Sequence, residues 1–152
     1  MLVQTSKARQ AQEVIQFSVF TPNRTGRLHD LVGILSCNGV NMLALSVLDT
    51  TDSAIIRFIV DDPDHARELL DRNGFPYSES ELLVVEISSA TELNRLVCAL
   101  LEAEVNVNYL YSFIPHPDGK SILALNMEDN EVAEKVLREH QFRILKQPDI
   151  SR

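Results

Sequence analysis

The residues best suited to chemistry sit in one short loop, Pro22-Asn23-Arg24-Thr25-Gly26-Arg27-Leu28. It joins an apolar stretch that reads as a strand to an amphipathic stretch that reads as a helix. The first turn of a helix leaves N–H groups without partners and carries the positive end of the dipole, so the loop suits an anion. A small carboxylate fits that chemistry. Gly26 permits close backbone approach, and the Asn23 side chain can both donate and accept. An ordinary helix start with turn residues has the same composition, and on these residues alone both readings stand.

Other chemistries find little support. The histidines are His29, His65, His116 and His140, none at a His-x-x-x-His spacing, and Cys37 and Cys98 form no Cys-x-x-Cys pair. No zinc site is expected, and no cofactor. No Gly-x-Ser-x-Gly and no phosphate-cradling Gly-Lys-Ser/Thr loop occurs, so no catalytic residues are assigned. His29-Asp30 reads as a solvated helix face at the rim of the loop. The net charge of −8, from 22 acidic and 14 basic residues, argues against a nucleic-acid partner, which needs a clustered basic surface. No apolar run approaches the ~18 residues of a membrane span. The stretch 1–12 is polar and lacks a signal-peptide core, so a cytoplasmic chain with ordinary reduced thiols is expected.

Hydrophobic periodicity supplies the elements that must hold the loop. Residues 13–20 read as a strand, and 27–38 as a helix with Leu28, Leu31, Val32 and Leu35 at the spacing of a buried stripe. Thr25 is the expected cap and Gly39 the expected stop. Strands follow at 41–48 and 53–60. Asp62 caps a helix that Pro63 opens, and a short strand covers 75–77. The order is β-α-β-β-α-β.

The second half repeats the first. At a shift of 65 residues Leu28, Leu31, Val32, Leu35, Val40, Asn41 and Leu45 fall on Leu93, Leu96, Val97, Leu100, Val105, Asn106 and Leu110. At a shift of 67, Asp62, Ala66, Leu70 and Phe75 fall on Asp129, Ala133, Leu137 and Phe142. The extra turn at 115–119 accounts for the difference. The chain therefore divides into a tail at 1–12, repeat 1 at 13–80, repeat 2 at 81–147 and a tail at 148–152. The expected fold is α+β, two ferredoxin-like βαββαβ repeats. Their apolar second strands, at 41–48 and 106–113, are expected to cover each other edge to edge. That would make one continuous antiparallel sheet of about eight strands, with the helices on one face.

The series Asn23-Arg24-Thr25-Gly26-Arg27-Leu28, Gly39-Val40-Asn41-Met42, Ala44-Leu45-Ser46 and Ile59-Val60-Asp61-Asp62-Pro63 resembles the ACT domain family. The family's loop reads Asn-Arg/Lys-Pro-Gly-x-Leu, and its second strand opens on Gly-Ile-Asn-Ile. No single motif is specific; the ordered series in a doubled frame, over nearly all of residues 14–147, is. ACT domains are non-catalytic regulatory modules that bind amino acids or similar small molecules, usually at the seam between two domains. The resemblance implies a ligand held by Asn23, Thr25, Gly26, Arg27 and Leu28 of repeat 1, facing Asn108, Tyr109 and Tyr111 of repeat 2. Strand alternation puts Asn108 on the opposite face from the two tyrosines, so only one of those sets meets the ligand. The tyrosines also suit plain packing under a helix, their hydroxyls reaching water.

Two departures stand out. Thr25 replaces the family's proline. In repeat 2 the loop reads Ser88-Ser89-Ala90-Thr91-Glu92-Leu93, without the Asn and the Gly, and Glu92 would repel a carboxylate. One asymmetric site per chain is expected. The implied partners are an amino acid and a metabolic enzyme, with no nucleic acid and no membrane; an apolar edge left over would suit a homodimer. The alternatives are a regulatory subunit resembling the acetolactate synthase small subunit, and an interaction scaffold without a ligand.

Overall fold

The structure, a computed structural model, describes residues 12–22, 26–115 and 117–151. The elements, in chain order, are β1 Val14–Pro22, α1 Arg27–Cys37, β2 Met42–Asp49, β3 Ser53–Val60, α2 Pro63–Arg72, β4 Tyr77–Ile87, α3 Ala90–Glu102, β5 Val107–Ser112, β6 Ser121–Met127, α4 Asn130–Glu139, β7 Arg143–Leu145 and the short α5 Gln147–Ile150. Residues 15–80 and 81–150 form the bodies of two compact units, and Val14 goes with the second.

In the first unit β1 pairs antiparallel with β3, from Phe17 opposite Phe58 to Pro22 opposite Ser53. β2 pairs antiparallel with the other edge of β3. The start of β4 flanks β1, where the Phe20 N–H donates to the Pro76 carbonyl at 3.0 Å. In the second unit the rest of β4 lies between β6 and β7, and β5 pairs with β6. Each unit thus has the strand order fourth-first-third-second of the ferredoxin-like arrangement.

Both helices of a unit cover one sheet face, and equivalent residues build the two cores. Leu31, Leu35, Ala66, Leu70 and Phe75 are buried in the first; Leu96, Leu100, Ala133, Leu137 and Phe142 are buried in the second. The stripe on the first helix of each repeat is only half used. Leu31 and Leu35 point inward, whereas Leu28 and Val32 stay 38% and 36% exposed, as do Leu93 and Val97 of α3 at 38% and 48%. The sheet and the second helix cover a narrower strip than the apolar spacing offers.

Local signals explain the helix ends. Gly39 and Val40 donate to the carbonyls of Ser36 and Leu35, the closing turn of a helix followed by a glycine at φ 77°. Asp62 accepts from the His65 N–H at 3.2 Å and Asp129 from the Val132 N–H at 3.1 Å, each capping its helix.

Two expectations need correction. The strand at the end of repeat 1 and the one opening repeat 2 are a single strand, β4, of 11 residues. Residues 78–81 contain neither Gly nor Pro, and the backbone continues extended through them. The sheet therefore has seven strands rather than about eight. Nor, among the described residues, do the second strands pair: there β2 is bonded only to β3, and β5 only to β6. The join between repeats runs through β4, a strand next to neither β2 nor β5, which leaves those two as edges.

Candidate functional site

The loop that opens α1 is positioned from both sides. β1 ends at Pro22, which cannot donate to a ladder, and α1 begins at Arg27. Asn23, Arg24 and Thr25 lie outside the described residues, so the expected roles of Asn23 and Thr25 and the expected cap at Thr25 have no structural counterpart here. Gly26 occupies the cap position with φ 95°, and its carbonyl accepts from the Asp30 N–H at 2.8 Å. A Cβ at Gly26 would meet nothing within 4 Å. The left-handed backbone at this position is what calls for glycine. Among the described residues no side chain caps α1, and its first-turn N–H groups find no side-chain acceptor there.

Arg27 is the charged group that this geometry orients. Its Nε donates to Thr21 Oγ1 at 3.2 Å, and the buried Thr21 hydroxyl in turn donates to the Pro22 carbonyl at 3.0 Å. The Arg27 guanidinium carbon lies 4.7 Å from the centre of the Phe75 ring. Among the described residues Arg27 has no carboxylate partner. A cleft of about 220 Å3 opens beside it, with Thr21, Leu28, Val47, Asp49 and the buried Ile56 among its walls. A second depression of about 480 Å3 runs along α1 past His29, Asp30 and Cys37. Its lining is mostly exposed helix surface. His29 and Asp30 stand 3.8 Å apart with side chains 91% and 55% exposed, as a solvated face should be.

Repeat 2 fills the corresponding loop with its own acid. The Glu92 carboxylate accepts from the Ser88 N–H at 2.5 Å, and this bond, helped by Arg95, holds its pKa below the usual glutamate range. The arginine over the aromatic ring moves one turn along: Arg95 lies 4.0 Å above Phe142 and donates to the His140 carbonyl at 2.7 Å. In repeat 1 the position of Glu92 is taken by Arg27 itself.

On β5, Tyr109 and Tyr111 lie side by side with ring centroids 6.3 Å apart. They stand opposite Asn126 and Ala124, whereas Leu110 stands opposite the core residue Leu125. The tyrosines therefore occupy the face away from the helices and do not pack under one. Simple alternation would separate Asn108 from them. The register is irregular between Val107 and Tyr109, however, and the Asn108 amide reaches Asn126, the cross-strand partner of Tyr109, at 2.9 Å. Gly26, Arg27 and Leu28 thus meet in the first unit, and Asn108, Tyr109 and Tyr111 in the second.

Sequence reasoning missed the cleft wall of Val47, Asp49 and Ile56, and the Thr21 and Phe75 supports of Arg27. The pairing of Phe75 with Phe142 in the repeat was the one available signal. Among the described residues no group of three His, Cys, Asp or Glu side chains is placed to hold a metal ion. No helix among them is long and apolar enough to cross a membrane.

The doubled frame and its loop match one family pattern, that of the ACT domain pair, over residues 12–152. The chain belongs to the ACT domain pair family. The family is a regulatory, non-catalytic one. Among solved structures this ACT pair is similar to protein BT0572 from Bacteroides thetaiotaomicron, at 26% identity and a TM-score of 0.84, over 92% of this chain and 96% of that one. It is similar in fold to the ligand-free regulatory subunit of aspartate kinase from Thermus thermophilus, at 17% identity and a TM-score of 0.62, covering 85% of this chain and 91% of that one. The regulatory subunit of aspartate kinase from Thermus flavus is similar at 14% identity and a TM-score of 0.58, over 84% and 92% of the two chains. None of the curated protein sequences matches this chain.

Proposed function

We propose that this ACT pair is a non-catalytic regulatory protein that binds an amino acid at the loop opening α1 and transmits the binding to a separate metabolic enzyme. The observation that carries this reading is the contrast between the loops. In repeat 2 a carboxylate already sits on the loop N–H, supplied by Glu92. In repeat 1 the same position carries Arg27, braced by Thr21 and Phe75 and without a carboxylate partner among the described residues. An external carboxylate would supply what Glu92 supplies in repeat 2, with Asn23, Thr25, Gly26 and Leu28 of the loop around it. One ligand per chain follows. The protein works in the cytoplasm on this reading.

A thermal-shift screen against the twenty amino acids tests it. At ligand near 100 times its dissociation constant, linkage contributes roughly 2.7 kcal/mol. For a chain of this length that raises Tm by about 5 to 10 °C. Gly26→Asp, which puts a carboxylate at the cradle, should abolish the shift. Undiminished binding in that variant would refute the placement.

The second reading, a partner-dependent subunit or scaffold, draws on a different observation. Leu93, Val97 and Leu101 line the outside of α3, the last 75% exposed, and Leu110 and Ile114 are exposed on the same unit. Exposed apolar groups in such number mark interaction surfaces. Twenty flat melting curves together with co-purification of an enzyme would favour this reading.

A further inference from the structure

We infer that the cleft of the first unit selects an α-amino acid with a short or branched aliphatic side chain, with Asp49 as the partner of its ammonium group. This rests on the ligand reading above and adds the chemistry of the ligand.

Two charged residues, Arg27 and Asp49, line the cleft together with apolar ones. Arg27 supplies the cation. Its Nε is committed to Thr21 and its plane to the Phe75 ring, which fixes the direction of the remaining guanidinium donors. A pre-oriented arginine fork is the side chain best shaped for a carboxylate. Asp49, the last residue of β2, lines the same cleft and is exposed. Among the described residues it forms no ion pair, with Arg27 or any other cation. A cation and an anion lining one small cleft match the two ends of a zwitterion.

The apolar lining includes Leu28, Val47, Ala54 and Ile56. Ile56 is 2% exposed and makes the floor, whereas Val47 is 47% exposed, so a ligand side chain would cover apolar surface now in water. Among the described residues no third charged side chain lines the cleft, and an apolar ligand side chain matches the walls they supply. Size sets the other limit. The cleft volume of about 220 Å3 gives room for a small amino acid. All of these residues belong to the first unit.

The test is a double-mutant cycle by calorimetry, with L-valine and its 2-oxo acid, 3-methyl-2-oxobutanoate, as probes on wild type and Asp49→Asn. The 2-oxo acid keeps the carboxylate and the side chain and lacks the ammonium. Wild type should bind L-valine at least about tenfold tighter than the oxo acid, and Asp49→Asn should erase that difference by weakening L-valine alone. A second variant, Val47→Asp, places a carboxylate on the apolar wall and should weaken both probes. L-tryptophan, L-lysine and L-glutamate should not compete. If lysine or glutamate binds as well as valine, and Asp49→Asn changes nothing, this selectivity is refuted while the amino-acid reading survives. If no amino acid binds wild type at all, both fall.

Discussion

The guanidinium of Arg27 lies over the ring of Phe75, 4.7 Å from its centre, and joins the first turn of α1 to the end of the α2 turn. Arg95 stands 4.0 Å over Phe142 in the same way, from one helical turn further along α3. The aromatic partner is preserved by the repeat, and the arginine is not. In repeat 1 the cation is thereby brought to the loop, where a ligand can reach it.

Replacing Arg27 should separate stability from binding. Arg27→Ala loses a partly exposed cation–π contact and a hydrogen bond, together about 1 kcal/mol. Arg27→Lys keeps the charge and loses the fork. Both variants should melt within a few degrees of wild type, and both should lose most of the ligand-induced rise in Tm. A rise of full size in Arg27→Lys would mean that the fork is not what holds the carboxylate.

Glu92 offers a pH signature for the filled loop. Its folded pKa is depressed by the Ser88 N–H. It therefore stabilises above its unfolded value of about 4.3, and that contribution is lost as pH falls through the lower, folded value. Carboxyl NMR should report a Glu92 midpoint below those of ordinary glutamates. In Glu92→Gln the chemical shift of the Ser88 amide should stop titrating in the acid range. A Ser88 amide equally sensitive to acid in both proteins would rule out the bond.

Lys146 ties the second unit to residue 13. It is 11% exposed at the side chain, bonded to Glu13 at 2.6 Å and also to Glu134. Burial pushes its pKa down, but the two carboxylates carry it above the usual lysine value, while Glu134, raised by burial, is brought net low by Lys146 and Arg138. The lysine contribution is complete below about pH 10.4 and is lost as pH rises through its higher, folded pKa. The Glu134 contribution is complete above about pH 4.3 and is lost as pH falls through its lower, folded value. Lys146→Met should cost on the order of 1–3 kcal/mol at pH 7, because it takes the cation from Glu13 and leaves Glu134 with Arg138 alone. The loss should shrink at pH 3. A urea series at both values measures this, and an equal loss at each would show that packing of the lysine stem, not charge, was removed.

The repeat itself predicts matched core losses. Leu31 and Leu96 are both fully buried at equivalent positions. Leu31→Ala and Leu96→Ala should each cost about 2–5 kcal/mol. Val32→Ala and Val97→Ala, one position along each helix, should change stability by about 0.5 kcal/mol or less. Urea melts check all four. A Val97→Ala loss comparable to that of Leu96→Ala would show that the exposed row on α3 is covered in solution.

The repeat made the fold legible. Offsets of 65 and 67 residues carried buried leucines onto buried leucines, because side chains that fill equivalent gaps are constrained alike. Caps at Asp62 and Asp129 were legible because each is a local bond spanning three residues. Strand pairing at the edges was not. An apolar edge states that it prefers cover, but not which surface supplies it.

Sequence alone determined the βαββαβ order, the doubling and the caps at Asp62 and Asp129, since each depends on neighbours within a turn or on a periodic pattern. Tertiary structure alone decided that β4 is one strand and that Tyr109 and Tyr111 lie away from the helices. It also decided that Arg27 is braced by Thr21 and Phe75 beside Val47 and Asp49. Those facts depend on contacts between residues far apart in the chain, Arg27 with Phe75 and Val84 with Leu145 among them, and no local propensity encodes a distance through space.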